Sequence, residues 1–254
     1  MKTMIFAAGL GTRLKPITDT LPKALVPVKG KPLLYHVCRK LSMAGLDDFV
    51  VNVYHFADKI IGYLSTDPVP GAGFAVSDER PELLETGGGI KHAKELLLDG
   101  AESEEPFLVH NVDIISNLDV KWFLSQWRSD ALAVLLVSER VTRRYLLFDD
   151  DMRLVGWTNI ATGEVRSPYS DLDPSKCRRY AFSGIHLISN SVFGVMDSEG
   201  MPERFSIMDF YLRIADRYPV YACVQPGLEL VDVGKVDTLA ALEQDQSQIL
   251  SQLP

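Results

Sequence analysis

The sequence is poor in cysteine and histidine, and neither residue type has the spacing of a metal centre. Its three cysteines, Cys38, Cys177 and Cys223, are an odd number and lie far apart, which is typical of reduced thiols in a cytoplasmic protein. Its five histidines form no i, i+4 pair and have no cysteine partner at zinc-site spacing. A zinc-dependent function is therefore not expected.

Positive charge and long apolar runs are also scarce. Lys and Arg number 26 against 34 Asp and Glu, a net charge of -8, which argues against nucleic acid as the partner. No apolar run approaches the ~18 residues of a membrane helix, and the N-terminus lacks the charged-then-apolar pattern of a secretion signal. We expect a cytoplasmic protein with no membrane partner, and the sequence does not indicate its oligomeric state.

Strand-like and helix-like segments alternate through the first half of the 254 residues. This alternation is typical of βαβ units, in which helices cover both faces of a largely parallel sheet. The predicted strands are 4–8, 49–53, 73–76, 106–110 and 131–137. The predicted helices are 33–44, 57–64, 89–98 and 120–127.

The second half has a different pattern. Short strands joined by polar turns indicate an antiparallel lobe at roughly 140–190, and a helix predicted at 236–250 closes the chain. With 46% hydrophobic residues and no linker or repeat, we expect a single domain over 1–254. The predicted fold class is α/β: a Rossmann-like three-layer α/β/α arrangement with a mixed, mainly parallel sheet and a small antiparallel lobe.

The stretch that follows the first predicted strand is suited to an anion. Gly9 and Gly11 let the backbone approach a ligand closely, and amides in such a loop can cradle phosphate, while Arg13 and Lys23 add positive charge. A bare Gly-x-Gly is equally compatible with an ordinary turn. The Walker and dinucleotide motifs fit less well, because no Gly-Lys-Ser/Thr follows and Leu14 stands where a third glycine is required.

Two aspartates follow predicted strands, where ligands of open α/β sheets bind. Asp113 comes just past the end of the predicted strand 106–110, and Asp232 follows Leu230-Val231. Two carboxylates beside a triphosphate would suit Mg²⁺, which prefers few carboxylates together with phosphate oxygens and water. Each aspartate is also a possible helix N-cap.

Two further segments are candidate ligand contacts. The string Glu85-Thr86-Gly87-Gly88-Gly89-Ile90 is expected to precede a helix whose N-terminus favours anions, although a flexible turn is an alternative. Gly184 lies in the predicted strand 181–187, where it either leaves room for a ligand or is simply a small core residue. Just upstream of the string, the carboxylate of Asp78 or Glu79 could accept a hydrogen bond from a ligand N–H.

Taken together, the string from Ala7 to Val28 resembles the signature of the sugar-1-phosphate nucleotidylyltransferases, and the later motifs continue the resemblance. The resemblance implies that a nucleoside triphosphate (NTP) and a sugar 1-phosphate react to give an NDP-sugar and pyrophosphate, with Mg²⁺ as cofactor. It implies that Arg13 and Lys23 are catalytic and that Asp113 and Asp232 bind the metal. Nucleotide-binding residues would be Ala8, Gly9, Gly11, Thr12, Glu79, Thr86, Gly87 and Gly88, and sugar-binding residues would be Asn111 and Gly184 with the antiparallel lobe.

The sequence departs from the family pattern at two places. Val112 replaces the glycine of Asn-Gly-Asp, and Val155-Gly156-Trp157-Thr158-Asn159 stands where relatives carry Glu-Lys-Pro, whose lysine contacts the sugar phosphate. Arg143, Arg144 or Arg166 could supply that charge.

The glycine string is similar to that of MurNAc-1-phosphate uridylyltransferases. Uridylyl transfer to MurNAc- or hexose-1-phosphate is therefore expected first, and guanylyl transfer to mannose- or heptose-1-phosphate second. The alternatives are a catalytically silent, sugar-nucleotide-binding regulatory relative and a phosphocholine cytidylyltransferase.

Overall fold

The computed structural model describes residues 1–101 and 105–244. The strands are β1 Thr3–Phe6, β2 Pro27–Val28, β3 Lys31–Pro32, β4 Asp48–Val53, β5 Gly73–Asp78, β6 Phe107–Asn111, β7 Ile114–Ser116, β8 Ala133–Ser138, β9 Arg144–Phe148, β10 Leu154–Asn159, β11 Glu164–Arg166, β12 Arg178–Ile188, β13 Val220–Val224 and β14 Leu230–Asp232. The helices are α1 Leu33–Met43, α2 Ala57–Leu64, α3 Glu85–His92, α4 Lys94–Leu98, α5 Val120–Ser125, α6 Val192–Ser198, α7 Ile207–Ile214 and α8 Val236–Gln244. The part of the predicted closing helix beyond Gln244 lies outside the described residues.

The central sheet is mixed, as predicted. Strands β5, β4, β1 and β6 form a parallel ladder, β12 pairs antiparallel with both β6 and β8, and β13 is parallel to β8. The N-terminal part of β12 also pairs with β9, and β9, β10 and β11 continue as an antiparallel extension. The predicted antiparallel segment is therefore present between residues 144 and 188.

Helices cover both faces of the sheet, because its strands are apolar on both sides. In β1, Ile5 packs in the cluster that includes α1, α2, α5 and α8, whereas Met4 packs in the cluster that includes α3, α4, α6 and α7. Val51 and Val50 divide in the same way in β4. This alternation gives the three-layer α/β/α arrangement that was predicted. No helix within the described ranges is long and apolar enough to cross a membrane.

The sheet topology brings the chemically interesting segments to one edge. Because β8 and β13 run parallel to β6, the carboxyl ends of β1, β4, β5, β6, β8 and β13 share that edge. The short strands β7 and β14 pair beside it with Asp232 opposite Ile114, and the Val233 amide donates to the carbonyl of Asp113 at 2.8 Å. This small ladder joins two segments that lie more than a hundred residues apart.

The glycine string does not precede a helix, as was expected, but forms part of one. Helix α3 begins at Glu85 and includes all three glycines. The reason is close packing: a Cβ on Gly87 would lie 2.2 Å from the Phe205 ring, and a Cβ on Gly88 would lie 2.1 Å from the Glu203 carbonyl oxygen. The helix tolerates glycine here because only glycine lets it approach the segment before α7.

Two buried histidines make the stability of the fold depend on pH. Desolvation lowers the pKa of His110 to about 4 and that of His186, whose Nδ1 lies 3.0 Å from the Tyr211 hydroxyl, to about 3. In the unfolded chain, histidine titrates near pH 6.5. Below that pH the two histidines bind protons in the unfolded state but not in the folded state. The free energy of unfolding therefore falls as the pH decreases.

We predict a fall of about 1.4 kcal/mol per pH unit for each of these histidines between roughly pH 6 and pH 4. Urea unfolding of the wild type and of His110→Gln and His186→Gln measures it, and each variant should show a shallower pH dependence. His92→Gln, at an exposed histidine, is the control. An unchanged slope in both buried-site variants would contradict this account.

Candidate active site

A cavity of about 230 Å³ opens at the carboxyl edge of β1, β4, β5 and β6. Seven of the predicted site residues line it: Ala8, Gly9, Lys23, Glu79, Thr86, Asn111 and Asp113. Six lining residues were not predicted as site residues: Phe6, Ala7, Asn52, Leu83, Glu85 and Val112. Seven other predicted residues do not line this cavity: Gly11, Thr12, Arg13, Gly87, Gly88, Gly184 and Asp232.

The first glycine loop has the backbone that the sequence suggested. Gly11 has φ +63°, and a Cβ there would lie 2.9 Å from Thr18, so a larger residue would be both strained and crowded. The Thr18 hydroxyl donates to the Gly11 carbonyl at 2.8 Å and fixes the turn. A Cβ on Gly9 would meet open space. Within the described ranges, the amides of Gly9 and Thr12 have no protein acceptor, so they remain available to an anion.

Each predicted cation is paired with one of the two predicted metal ligands. Lys23 Nζ forms a salt bridge with Asp113 Oδ2, and both side chains are largely buried. The Arg13 guanidinium lies 3.9 Å from Asp232 Oδ2. Gly234 allows this second approach, since a Cβ there would lie 2.5 Å from the Arg13 nitrogen and 2.6 Å from Asp232 Oδ1. The structure thus brings all four side chains into one constellation.

The two aspartates also fit a divalent metal. Asp232 Oδ1 is buried and has no hydrogen-bond partner in the described structure, so it is an acceptor that lacks a cation or donor. Neither aspartate caps a helix, because β7 follows Asp113 and α8 begins only at Val236. Residues 1–101 and 105–244 contain no cluster of three or more metal-ligating side chains. A metal held here would take its other ligands from phosphate and water, as Mg²⁺ does.

The glycine helix contributes packing and one side chain to the site. The amides of Gly87 and Gly88 donate to the Phe205 carbonyl at 2.8 and 3.1 Å, so they are already occupied. Thr86 lines the cavity, and its hydroxyl accepts a hydrogen bond from the Ile207 amide at 2.9 Å. The anion site expected at this helix N-terminus is therefore not available at these two amides.

Glu79 is enclosed by hydrogen bonds within the protein. Its Oε1 accepts from the Asn52 side-chain amide at 2.6 Å, and its Oε2 accepts from the Leu84 amide at 3.0 Å. Burial raises the pKa of this carboxyl above its usual value, and these two hydrogen bonds oppose the rise. Asn52 was missed in the sequence, where the signal was a single amide inside the apolar strand Phe49-Val50-Val51-Asn52-Val53.

Gly184 and Asn111 lie against each other. Gly184 has φ +76° at an irregularity of β12, and a Cβ there would lie 2.6 Å from the Asn111 side-chain nitrogen. The space that Gly184 leaves is thus occupied by the Asn111 amide rather than left for a hexose. Gly184 shapes the wall of the cavity through Asn111, which lies at the end of β6 and lines the cavity.

The structure reduces the number of arginines that could supply the positive charge of the lysine found in relatives. Arg166 forms a 2.8 Å salt bridge with Asp209 and lies over the Trp157 ring, so its guanidinium is engaged. Arg143 and Arg144 are exposed, and neither side chain makes an ion pair with a described residue. These two remain candidates.

The arrangement suits a direct displacement at a polyphosphate. Backbone amides and two fixed cations can hold phosphate oxygens, and the carboxylates can hold a metal beside them. The residues that line the cavity include no serine, cysteine or histidine to serve as a covalent nucleophile. A substrate that brings its own anionic nucleophile, such as a phosphate, could react at this site without a covalent enzyme intermediate.

Comparisons with known proteins show which family this chain resembles. Residues 2–145 match the family model described as "Nucleotidyl transferase". The N-acetylmuramate alpha-1-phosphate uridylyltransferase of Caulobacter vibrioides is 33% identical over 89% of this chain and 88% of its own length. Mannose-1-phosphate guanylyltransferase 1 of Arabidopsis thaliana is 33% identical over 51% of this chain and 35% of its own length.

Solved structures have the same fold. HddC from Yersinia pseudotuberculosis, solved in complex with GMP-PN, has a TM-score of 0.72 and 25% identity, covering 96% of this chain and 98% of its own. Members of the family use a divalent metal. The family match, the relatives and the fold together identify the chain as a member of the nucleotidyl transferase family and as a sugar-1-phosphate nucleotidylyltransferase.

Proposed function

We propose that this chain transfers a uridylyl group from UTP to MurNAc-1-phosphate or a hexose 1-phosphate, releasing pyrophosphate, with Mg²⁺ as its metal. The observation that carries the proposal is the constellation at the carboxyl edge of the sheet. There, Lys23–Asp113 and Arg13–Asp232 form two ion pairs beside a glycine loop with open amides. The likeness to the Caulobacter vibrioides uridylyltransferase over most of both chains supports the choice of nucleotide and sugar.

In the proposed reaction, an oxygen of the sugar 1-phosphate attacks the α-phosphorus in line, and pyrophosphate leaves. No general base is required, because the nucleophile is already anionic. Lys23 holds the α-phosphate and the incoming phosphate together, and Arg13 neutralises the β- and γ-phosphates of the leaving group. Ala8, Gly9, Gly11 and Thr12 form the loop that follows the triphosphate.

Asp113 and Asp232 are the proposed metal ligands. When bound, Mg²⁺ supplies charge neutralisation and polarises the α-phosphate. The Oδ1 atom of Asp232, which has no partner among the described residues, supports this assignment, since a buried carboxylate oxygen is costly unless a cation or donor reaches it. Lys23 and Arg13 hold the two carboxylates in place.

The acceptors around the base support uracil. Guanine presents N1–H and N2–H₂ side by side and so calls for two adjacent acceptors, whereas uracil presents one N–H between two carbonyls. Both oxygens of Glu79 are used by Asn52 and Leu84. The Glu85 carboxylate is paired with Arg204 at 3.2 Å. Because Arg204 contacts Glu85 Oε1 and both oxygens of Glu79 are engaged, neither carboxylate presents two adjacent unengaged oxygens to the paired donors of guanine.

Guanylyl transfer is the second candidate, and one observation favours it. HddC, which covers nearly the whole chain at 25% identity, was solved with GMP-PN. On the sugar side, we propose that Asn111 contacts the sugar, that Gly184 admits Asn111, and that Arg143 or Arg144 neutralises the sugar phosphate. The three cysteines are free thiols, which supports a cytoplasmic location.

Pyrophosphate release tests the activity directly. Each of UTP, GTP, CTP, dTTP and ATP is combined with MurNAc-, N-acetylglucosamine-, glucose- or mannose-1-phosphate, or with phosphocholine, in the presence of Mg²⁺. We expect the highest kcat/KM with UTP and MurNAc- or hexose-1-phosphate. A preference for GTP would select the second candidate. Turnover with CTP and phosphocholine, or no turnover with any pair, would contradict the proposal.

Removing the guanidinium tests the role of Arg13. We predict that Arg13→Ala lowers kcat/KM by about 30- to 1,000-fold, the effect of losing one electrostatic donor worth about 2–4 kcal/mol in the transition state. Arg128→Ala, at an exposed arginine just after α5, is the matched control. Wild-type turnover in Arg13→Ala would exclude the role.

Metal titration tests the two aspartates. Asp113→Asn and Asp232→Asn should each raise the Mg²⁺ concentration needed for half-maximal activity by about tenfold or more, because each removes a charged ligand. EDTA should abolish wild-type activity, and added Mg²⁺ should restore it. Asp216→Asn, at an exposed aspartate, is the control. An unchanged Mg²⁺ requirement in both site variants would show that the metal binds elsewhere.

A further inference from the structure

A buried chain of hydrogen bonds connects the two walls of the cavity. The Ala7 amide donates to Asn52 Oδ1 at 2.7 Å, Asn52 Nδ2 donates to Glu79 Oε1 at 2.6 Å, and the Leu84 amide donates to Glu79 Oε2 at 3.0 Å. Asn52 and Glu79 are each 3% exposed. This series of hydrogen bonds therefore connects the end of β1, where the glycine loop begins, to the segment that leads into α3.

The surrounding structure is shaped to keep this pair. Gly89 of α3 passes so close that a Cβ there would lie 2.7 Å from Glu79 Oε1 and 3.2 Å from Asn52 Nδ2. Glu79 is also fixed through its backbone, because its amide donates to the Val53 carbonyl at 2.9 Å. The third glycine of the string is thus explained by these two side chains.

The order of donors and acceptors along this series of hydrogen bonds determines which side chains can form the series. The two backbone amides at its ends can only donate. The side chain next to Ala7 must therefore accept from it and donate onward, which an amide does. The side chain next to Leu84 must then accept on both oxygens, which a carboxylate does and an amide cannot.

We propose that Asn52 and Glu79 are positioning residues for nucleotide binding: they set the separation between the glycine loop at Ala7–Gly9 and the Leu84–Thr86 segment, between which the nucleoside binds. This inference rests on the proposed function. Glu79 acts through Leu84 and Asn52 rather than by accepting a base N–H, because both of its oxygens are engaged. Since the spacing is set before the ligand arrives, the binding of UTP does not have to supply the free energy of ordering these walls.

The single variants Glu79→Gln and Asn52→Asp each disrupt the order of donors and acceptors, and the double variant restores it. In Glu79→Gln one acceptor becomes a donor, so an N–H faces an N–H of Asn52 or Leu84. In Asn52→Asp a second carboxylate oxygen faces Glu79 Oε1. In the double variant Asn52→Asp/Glu79→Gln, the new carboxylate at position 52 accepts from the Ala7 amide and from the new side-chain amide at position 79. The side-chain carbonyl at position 79 still accepts from Leu84, so every group is paired again.

The experiment measures the dissociation constant of UTP and the KM values for UTP and sugar 1-phosphate at pH 8. Each single variant should weaken UTP binding by about tenfold or more, because the mispaired groups shift the two walls and UTP binding must then supply the free energy of restoring their separation. The KM for the sugar 1-phosphate should change little. The double variant should recover to within about threefold of the wild type. Glu95→Gln, an exposed change of the same chemistry on α4, should have no effect.

Two results would overturn the inference. The first is a double variant that binds UTP no better than Glu79→Gln, which would show that the loss does not come from the broken order of donors and acceptors. The second is UTP binding in the single variants equal to that of the wild type, with or without a loss of stability. If the wild type binds neither UTP nor GTP but unfolding free energies reproduce the break and the rescue, the proposed function fails while the hydrogen-bond order stands.

Discussion

The site depends on one small long-range contact, the pairing of β7 with β14. This three-residue ladder and the hydrogen bond from Val233 to Asp113 bring two acidic residues together from distant parts of the chain. Two carboxylates held close would repel each other, and the fold compensates by placing Lys23 against one and Arg13 against the other. The Oδ1 atom of Asp232, without a partner among the described residues, is where the proposed metal ion would bind.

The glycines around the site serve different physical purposes. Gly11 adopts a left-handed backbone, whereas Gly87, Gly88, Gly89 and Gly234 admit close neighbours that a Cβ would displace. Gly9, in contrast, faces open space. Glycine around this site therefore more often lets one protein segment approach another than it exposes the backbone to a ligand. This distinction explains why a glycine-rich string need not be a phosphate loop.

Much of the fold could be predicted from the sequence because its signals are local. The apolar runs predicted β4 and β8, and the helical spacing predicted α1 and α2, to within one or two residues at each end. Short elements such as β7 and α6 were missed because three to seven residues carry little periodicity. The predicted start of this helix at residue 89 was wrong, since α3 begins at Glu85. Packing against Phe205 outweighs the low helix propensity of the glycines.

Some residues of the candidate site could likewise be predicted from local sequence signals, whereas contacts between distant segments could not. Gly9 and Asp113 could be predicted because they follow strand ends, and Lys23 because it belongs to the string from Ala7 to Val28 that carries the family resemblance. All three line the cavity. Sequence reasoning could not show that Glu79 is enclosed by Asn52 and Leu84, or that Asn111 occupies the space beside Gly184. Those facts depend on contacts between segments that are far apart in the chain.

A crystal structure with Mg²⁺ and a non-hydrolysable UTP analogue tests the central claim most directly. The account predicts a metal ion bound by the carboxylates of Asp113 and Asp232, with the α-phosphate beside Lys23 and the terminal phosphates along the glycine loop near Arg13. A triphosphate bound away from that loop, or a metal ion that contacts neither aspartate, would contradict it.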